Sequence, residues 1–108
     1  MPYKVLLTAS AARDLEELDR YLSQHDSPAA ADHVLAEIEE KLAGLSASPE
    51  LGVYPPELAA LGIREYREVF FKPYRIIYRV IKNAVYIYLI VDGRRDMQML
   101  LNRRLLTA

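Results

Sequence analysis

A two-residue turn between two strand-like segments constrains the fold of this chain more than any other feature. Residues 74–81 and 84–91 are rich in β-branched and aromatic side chains, and only Lys82-Asn83 separates them. Two residues are the length of a tight β-hairpin turn, and asparagine tolerates the positive φ that such turns require. We therefore expect an antiparallel hairpin whose residues pair symmetrically about this turn.

Side chains alternate between the two faces of such a hairpin, and the alternation predicts what each face holds. The face expected to lie under helices gathers Tyr74, Ile76, Tyr78, Val80, Val85, Ile87, Leu89 and Val91. The face expected to be half exposed gathers Arg75, Ile77, Arg79, Tyr86, Tyr88, Ile90 and Asp92. Arginines interleaved with tyrosines suit contacts with phosphates and bases, although the same pairs also occur on plain solvent-facing sheets.

Two helices are predicted between an N-terminal strand at residues 3–8 and the C-terminal half of the chain. Ser10 is expected to cap the first helix, because its hydroxyl can accept a free N–H of the first turn. The apolar stripe of this helix consists of Leu15, Leu18 and Leu22. Ser27-Pro28 marks the start of a second helix that should end near Gly44. Because few residues join the helices, they should form an antiparallel hairpin.

One more strand and one more helix complete the predicted fold. Residues 63–71 form a strand-like run, and Asp96 can cap a short helix at residues 97–106. The Pro- and Gly-containing stretch 46–62 reads as an irregular connection with room for one helical turn at 57–60. The order β-α-α-β-β-β-α predicts an α+β domain over residues 1–108, with the helical hairpin packed on a mainly antiparallel four-stranded sheet.

Composition excludes several kinds of protein. The chain has no cysteine, which rules out disulfides, a thiolate nucleophile and Cys-based metal sites. It has no apolar run near the roughly 18 residues of a membrane span and no signal-peptide pattern. His25 and His33 both fall in the helical hairpin, and no metal, nucleotide or serine-hydrolase motif is present. We expect a cytoplasmic protein that uses no metal or other cofactor and does not engage a membrane.

The charges are divided between the two halves of the chain. Residues 1–62 carry eleven acids and four bases, whereas residues 63–108 carry ten bases and four acids. Such asymmetry suggests a cationic surface for a polyanion or an acidic partner. The alternative is that the two halves interleave in space and neutralise each other.

Two segments, KPYRIIYRV at residues 72–80 and VDGRRDM at residues 91–97, resemble the RelE/ParE toxins of bacterial type II toxin–antitoxin systems. The strand and helical hairpin of the first half are similar to the same family. The resemblance implies a small growth-inhibiting toxin, of the kind that stabilises plasmids. It also implies a cognate antitoxin, ParD-like or RelB-like, that holds the toxin inactive.

One mode of this family is metal-independent cleavage of mRNA on the ribosome. The resemblance places Arg75 at the position of a transition-state arginine and Arg95 at that of an arginine that protonates the leaving oxygen. Two other parts of the nuclease set are missing. Residues 66–68 read Tyr-Arg-Glu where RelE-like members have lysines, and the expected tyrosine six residues beyond Arg95 is Leu101. Arginine is also a poor base, because it stays protonated at neutral pH.

The other mode is inhibition of DNA gyrase by ParE-like members, which share the fold and lack the nuclease set. The long helical hairpin and the missing lysines favour this mode, with ribosome-dependent mRNA cleavage and a non-toxic binding module as alternatives. Contacts with the target or with nucleic acid are expected from Arg75, Arg79, Tyr86, Tyr88, Arg94 and Arg95.

The antitoxin implied by the resemblance is expected to be disordered when free and to fold over the toxin surface. We expect it on the helical hairpin and on the C-terminal stretch, where apolar residues alternate with cations. The residues predicted to bind it are Met97, Met99, Leu100, Arg103 and Arg104. The alternative is that these residues seal the hydrophobic core.

Overall fold

The computed structural model describes residues 2–106. Its elements are β1 (Lys4–Leu7), α1 (Ala9–His25), α2 (Pro28–Ala47), α3 (Pro56–Ala59), β2 (Arg67–Phe71), β3 (Tyr74–Ile81), β4 (Ala84–Asp92) and α4 (Met97–Leu101), followed by a π-helical turn (Asn102–Leu106). The strands form a sheet in the order β1-β4-β3-β2, with β1 parallel to β4 and the other neighbours antiparallel. The predicted α+β class and the order of the predicted elements are confirmed.

Hydroxyl side chains set the starts of the two long helices. The Ser27 hydroxyl accepts the N–H of Ala30 at 3.0 Å, and Pro28 occupies the first turn of α2, as predicted. The prediction that Ser10 caps α1 was wrong. Thr8 has an extended backbone, and its hydroxyl accepts the N–H of Ala11 at 3.1 Å. Because Thr8 directly follows β1, α1 begins earlier than predicted and leaves no loop after the strand.

A β-bulge in β4 changes the register of the central hairpin. Near the turn the predicted pairing is confirmed, down to Tyr78 opposite Ile87. The next pair is Ile77 opposite Leu89, so Tyr88 is an extra residue with no partner on β3. The positive φ of the turn lies at Lys82, with φ 56°, and not at the asparagine. One extra residue inverts the alternation of side chains in the rest of a strand.

Beyond the bulge, the predicted face assignments were wrong. Leu89 and Val91 lie with Ile77 on the face away from α1 and α2, whereas Ile90 belongs to the face that these helices cover. Asp92 stands opposite Tyr74. The face that was expected to be half exposed is therefore covered by apolar contacts over this part of its length.

The sheet consequently has a hydrophobic core on each side. Under α1 and α2 the buried residues are Ala11, Ile38, Leu42, Leu45, Val69, Tyr74, Ile76, Tyr78, Val85, Ile87 and Ile90. The second core joins α3, α4 and the opposite face through Leu58, Tyr66, Ile77, Leu89, Val91, Met97, Leu100 and Leu101. Each buried aliphatic side chain contributes about 1.5–3 kcal/mol, so both cores are substantial. Asp96 caps α4, as predicted, by accepting the N–H of Met99 at 3.1 Å.

The remaining differences concern the ends of elements. The strand predicted at residues 63–71 begins at Arg67, and α2 continues past Gly44 to Ala47. Within the described residues, no helix has the combination of length and apolar character that crossing a bilayer would need.

Candidate functional site

Arg75 projects from β3 between two carboxylates. Its Nη1 and Nη2 donate to the two oxygens of Glu57 at 2.8 and 2.7 Å, and its Nε donates to Oε1 of Glu68 at 2.7 Å. The side chains of Arg75 and Glu68 are 12% and 1% exposed. Glu57 lies on α3 and Glu68 on β2, so one guanidinium ties three elements together.

The electrostatics of this cluster are uneven. The hydrogen bonds from Arg75 hold the pKa of Glu57 below its usual range. Burial raises the pKa of Glu68, which shares the single cation with Glu57. The two carboxylates in turn raise the pKa of Arg75. Three of the five guanidinium N–H groups are thus engaged, and a phosphate at Arg75 would compete with two charge-assisted partners.

Gly93 encloses the stem of Arg75. Its N–H donates to the carbonyl oxygen of Pro73 at 2.8 Å, which draws the loop after β4 against β3. A Cβ at this position would lie 2.6 Å from Cδ of Arg75, so only glycine fits without movement of the arginine.

The arginines and tyrosines expected on one face pack against one another. The rings of Tyr66 and Tyr88 meet edge to face, with centroids 5.5 Å apart. The guanidinium carbon of Arg79 lies 5.9 Å from the centroid of Tyr66, and Arg79 stands opposite Tyr86 as predicted. Tyr66 is buried, and this burial raises its pKa. The structure thus places Arg79 and Tyr88 against Tyr66 of the second core, with Tyr86 opposite Arg79 on β4.

A second ion pair joins the N- and C-terminal ends of the chain. Both terminal nitrogens of Arg104 donate to Asp14, at 3.1 and 3.0 Å, and Nη2 also donates to the carbonyl of Tyr88 at 2.9 Å. Asp14 accepts the N–H of Ile90 at 3.0 Å. Since β1 pairs with β4 only as far as Ile87, these two side chains satisfy backbone groups on an edge that has no strand partner.

The loop after β4 carries two exposed arginines. Arg94 pairs with Asp92, its Nε donating to Oδ1 at 2.9 Å, and its side chain is 77% exposed. Arg94 and Arg95 line a groove of about 500 Å³ that runs between α1 and the end of β4. The apolar part of its lining consists of Leu18, Tyr21, Leu22, Tyr74, Ile90 and Val91.

Comparison with known protein families identifies the fold and the class of the chain. The family described as ParE toxin of type II toxin-antitoxin system, parDE, matches residues 5–97. The chain belongs to the ParE toxin family. It is therefore the toxin of a type II toxin–antitoxin system.

Two solved structures are similar to this ParE toxin in fold. The chromosomal ParDE system from P. aeruginosa has 20% sequence identity and a TM-score of 0.69, with 83% of this chain and 95% of that chain covered. The RelBE2 toxin–antitoxin complex from Mycobacterium tuberculosis has 24% identity and a TM-score of 0.60, with coverages of 85% and 92%. No curated protein sequence matches the chain significantly.

In this ParE toxin, the residues predicted to bind an antitoxin are divided between core and surface. Met97 and Leu100 are each 5% exposed and belong to the second core, and Arg104 is held by Asp14. Met99, at 52% exposed, and Arg103 remain accessible. No sequence pattern indicates the Asp14–Arg104 pair, because its partners lie 90 residues apart and Asp14 resembles the solvated acids around it.

The two ion-pair clusters connect the acidic and basic halves of the ParE toxin. Glu57 with Arg75 and Asp14 with Arg104 both join a carboxylate of residues 1–62 to an arginine of residues 63–108. The halves therefore interleave at two points. In residues 2–106, no group of three or more histidine, aspartate or glutamate side chains is placed to share a metal ion.

Proposed function

We propose that this ParE-family toxin inhibits growth by binding DNA gyrase and not by cleaving mRNA. The observation that carries the proposal is the engagement of Arg75 by Glu57 and Glu68. A transition-state arginine must offer its donors to a phosphate, whereas here every nitrogen of the guanidinium already donates to a carboxylate.

The surroundings of Arg75 also favour a role other than nuclease. Glu68 places a buried carboxylate at the strand position where a cation would be needed. Tyr66 is buried and its raised pKa makes it a weaker acid, and position 101 is a buried leucine. Arg95 is then the one expected catalytic group left exposed, and an always-protonated arginine cannot serve as the base that activates a nucleophile.

Membership of the ParE family supports gyrase as the target, because gyrase inhibition is the mode that the sequence resemblance implies for ParE-like members. The helical hairpin supports it as well, with 17 residues in α1 and 20 in α2. The toxin would act in the bacterial cytoplasm, where gyrase works on DNA. Contacts with gyrase are proposed for the exposed Arg94 and Arg95.

The same proposal includes a cognate antitoxin, since both similar structures come from toxin–antitoxin systems. We place the antitoxin on the groove between α1 and the loop after β4, whose Tyr21 is 58% exposed. Met99 and Arg103 are the accessible members of the C-terminal set. An amphipathic helix with apolar side chains for this groove is the expected occupant.

Two parallel reactions test the proposed target. Purified toxin is added to gyrase, ATP and supercoiled plasmid, and separately to translating ribosomes with a defined mRNA. We expect loss of supercoiling and trapped linear plasmid, with intact mRNA. Cleaved mRNA together with unaffected gyrase would reverse the assignment. Arg95→Gln is compared with Arg20→Gln, an exposed arginine of α1 outside the groove.

A growth assay tests whether the chain is toxic at all. Expression without antitoxin should arrest growth, and co-expression of a cognate antitoxin should restore it. Normal growth on expression of the folded chain alone would favour the non-toxic binding module.

A further inference from the structure

A cluster of cations separate from Arg75 surrounds a cavity near the start of α1. This cavity, of about 250 Å³, opens between α1, the loop after β4 and the C-terminal turn. Four of its lining residues are arginines, namely Arg13, Arg95, Arg103 and Arg104. They come from three different elements, so the fold and not a local sequence run brings them together.

The carboxylates at this cavity do not balance the arginines. Asp14 is paired with Arg104 and also accepts the N–H of Ile90. Among residues 2–106, Glu17 is the one other acidic residue in the lining. Three guanidinium groups therefore share the cavity with one uncommitted carboxylate.

The three remaining arginines, Arg13, Arg95 and Arg103, are not held by salt bridges in the described part of the chain. Arg95 does add to the stronger effect of Arg94 in lowering the pKa of Asp92. The guanidinium of Arg13 contacts the hydroxyl of Ser10 at 3.4 Å. Three guanidinium groups beside the single uncommitted carboxylate of Glu17 leave a net positive charge, and an anion in the cavity would reduce their mutual repulsion.

We propose that this cavity is a phosphate-binding site that holds the backbone of a nucleic acid. Guanidinium groups match phosphate oxygens in two-point hydrogen bonds, and arginines from separate elements can surround a tetrahedral anion. Among the described residues that line the cavity, Leu100 is the one apolar side chain, and because it is buried they offer no apolar surface to an amphipathic peptide. The inference does not depend on the target proposed above, because gyrase-bound DNA and ribosome-bound mRNA both present phosphodiesters.

The test is fluorescence anisotropy with a labelled DNA duplex and a labelled single-stranded RNA, each over a series of salt concentrations. The variants are Arg13→Gln, Arg103→Gln and the double substitution. Both residues are exposed and take no part in an ion pair, so the fold should be unaffected. Arg20→Gln removes the same charge from the same helix outside the cavity and is the matched control.

A plot of the logarithm of the binding constant against the logarithm of the salt concentration falls with a negative slope. The double variant should make this slope shallower by about two and reduce the affinity near physiological salt by on the order of tenfold. Arg20→Gln should leave the slope unchanged. An unchanged slope in the double variant, or no binding of either nucleic acid by the folded toxin, would overturn the proposal. Binding of poly-glutamate with the same dependence on Arg13 and Arg103 would also overturn it, in favour of an acidic protein partner. None of these measurements uses gyrase, so they are independent of the proposed target.

Discussion

At the scale of single residues, Arg75 stands between two carboxylates in unequal surroundings. Glu68 is almost fully buried, whereas Glu57 is 22% exposed. A buried charge that loses its partner is costly because water cannot replace it, whereas an exposed charge is readily hydrated. Substitutions in this cluster should therefore have effects that depend on which carboxylate is left alone.

Replacing Arg75 with alanine should lower the free energy of unfolding by about 3–5 kcal/mol, because Glu68 is left buried without its cation. Urea denaturation followed by circular dichroism measures the change. Arg94→Ala, which removes an exposed ion pair with Asp92, is the control and should have a much smaller effect. Equal losses in the two variants would contradict the structural role assigned to Arg75.

Glu68→Gln should alter the pH dependence of stability. Because burial raises the pKa of Glu68 in the folded chain, its protonated form favours folding at low pH. That contribution is lost as pH rises through the folded pKa. The glutamine variant should thus gain stability relative to the unsubstituted protein as pH rises above about 4.

Glu57→Gln should have the opposite effect and lose stability relative to the unsubstituted protein as pH rises above about 4. Arg75 lowers the pKa of Glu57, so the ionised carboxylate favours folding and its contribution is absent from the glutamine variant. Urea midpoints measured at several pH values compare the two variants. If the urea midpoints of the two variants changed with pH in the same way, this would contradict the opposite pKa shifts of Glu57 and Glu68.

Two glycines should respond in opposite ways to alanine. A Cβ at Gly52 would lie 2.5 Å from the hydroxyl of Tyr78, which accepts the N–H of Gly52 and donates to the carbonyl of Pro49. Gly52→Ala should cost about 1–3 kcal/mol by overpacking. Gly44→Ala, in α2 with nothing near its Cβ, should gain about 0.5–1 kcal/mol. Thermal melts of both variants check the pair, and stabilisation at Gly52 would be inconsistent with this packing.

At the scale of secondary-structure elements, the Asp14–Arg104 pair replaces a missing strand. It satisfies the N–H of Ile90 and the carbonyl of Tyr88 beyond the last residue of β1. The same two side chains attach the C-terminal turn to α1. A loss of this ion pair should therefore affect both the backbone next to the bulge and the attachment of the C-terminal turn.

Arg104→Gln should loosen both the backbone at Ile90 and the C-terminal turn. We expect faster hydrogen exchange at the amide of Ile90 and along residues 97–106, measured by NMR, because Asp14 loses its partner and the turn loses its attachment. Arg103→Gln removes a neighbouring exposed cation and should leave these amides protected. Unchanged exchange in Arg104→Gln would indicate that apolar contacts alone hold the turn.

Turn, capping and strand patterns within a few residues predict much of this fold. The features that the sequence did not reveal depend on contacts between residues far apart in the chain. The Lys82-Asn83 turn, the Ser27 and Asp96 caps and the sheet strands follow from signals within a few residues. The bulge carries no glycine or proline, so Tyr88 looks like any other strand residue. The ion pairs of Asp14 and Glu57 bridge residues far apart in the chain, and only the folded sheet brings them together.

At the scale of the whole molecule, the sheet is covered on both faces. On the face away from α1 and α2, α4 and the C-terminal turn contribute much of the second core. Met97, Leu100 and Leu101 lie against Ile77 and Leu89 in one core. This arrangement explains why the alternating apolar and cationic pattern after Asp96 fits both core sealing and partner binding. Its apolar members face inward, apart from Met99 and Leu106, and its cations lie at the rim.

A chain truncated after Asp96 should therefore lose cooperative unfolding and bind the dye ANS, because the second core becomes exposed. Dye fluorescence and a thermal melt measure both effects. Met99→Ser, which changes an exposed residue of the same helix, should bind no extra dye. A truncated chain that melts sharply and still binds antitoxin would place the antitoxin contacts outside α4.

The bulge at Tyr88 also bears on how a gene for this protein can vary. Most codon substitutions in β4 alter one side chain and leave its neighbours in place. Loss of the single codon for Tyr88 would likewise leave its neighbours in place, because it removes the extra residue and keeps Leu89 opposite Ile77 and Ile90 opposite Ile76. One in-frame deletion at the bulge would thus keep every later residue up to Asp92 on its present face. Among related genes, a loss of one residue from this strand should therefore be tolerated at position 88 more readily than at a paired position.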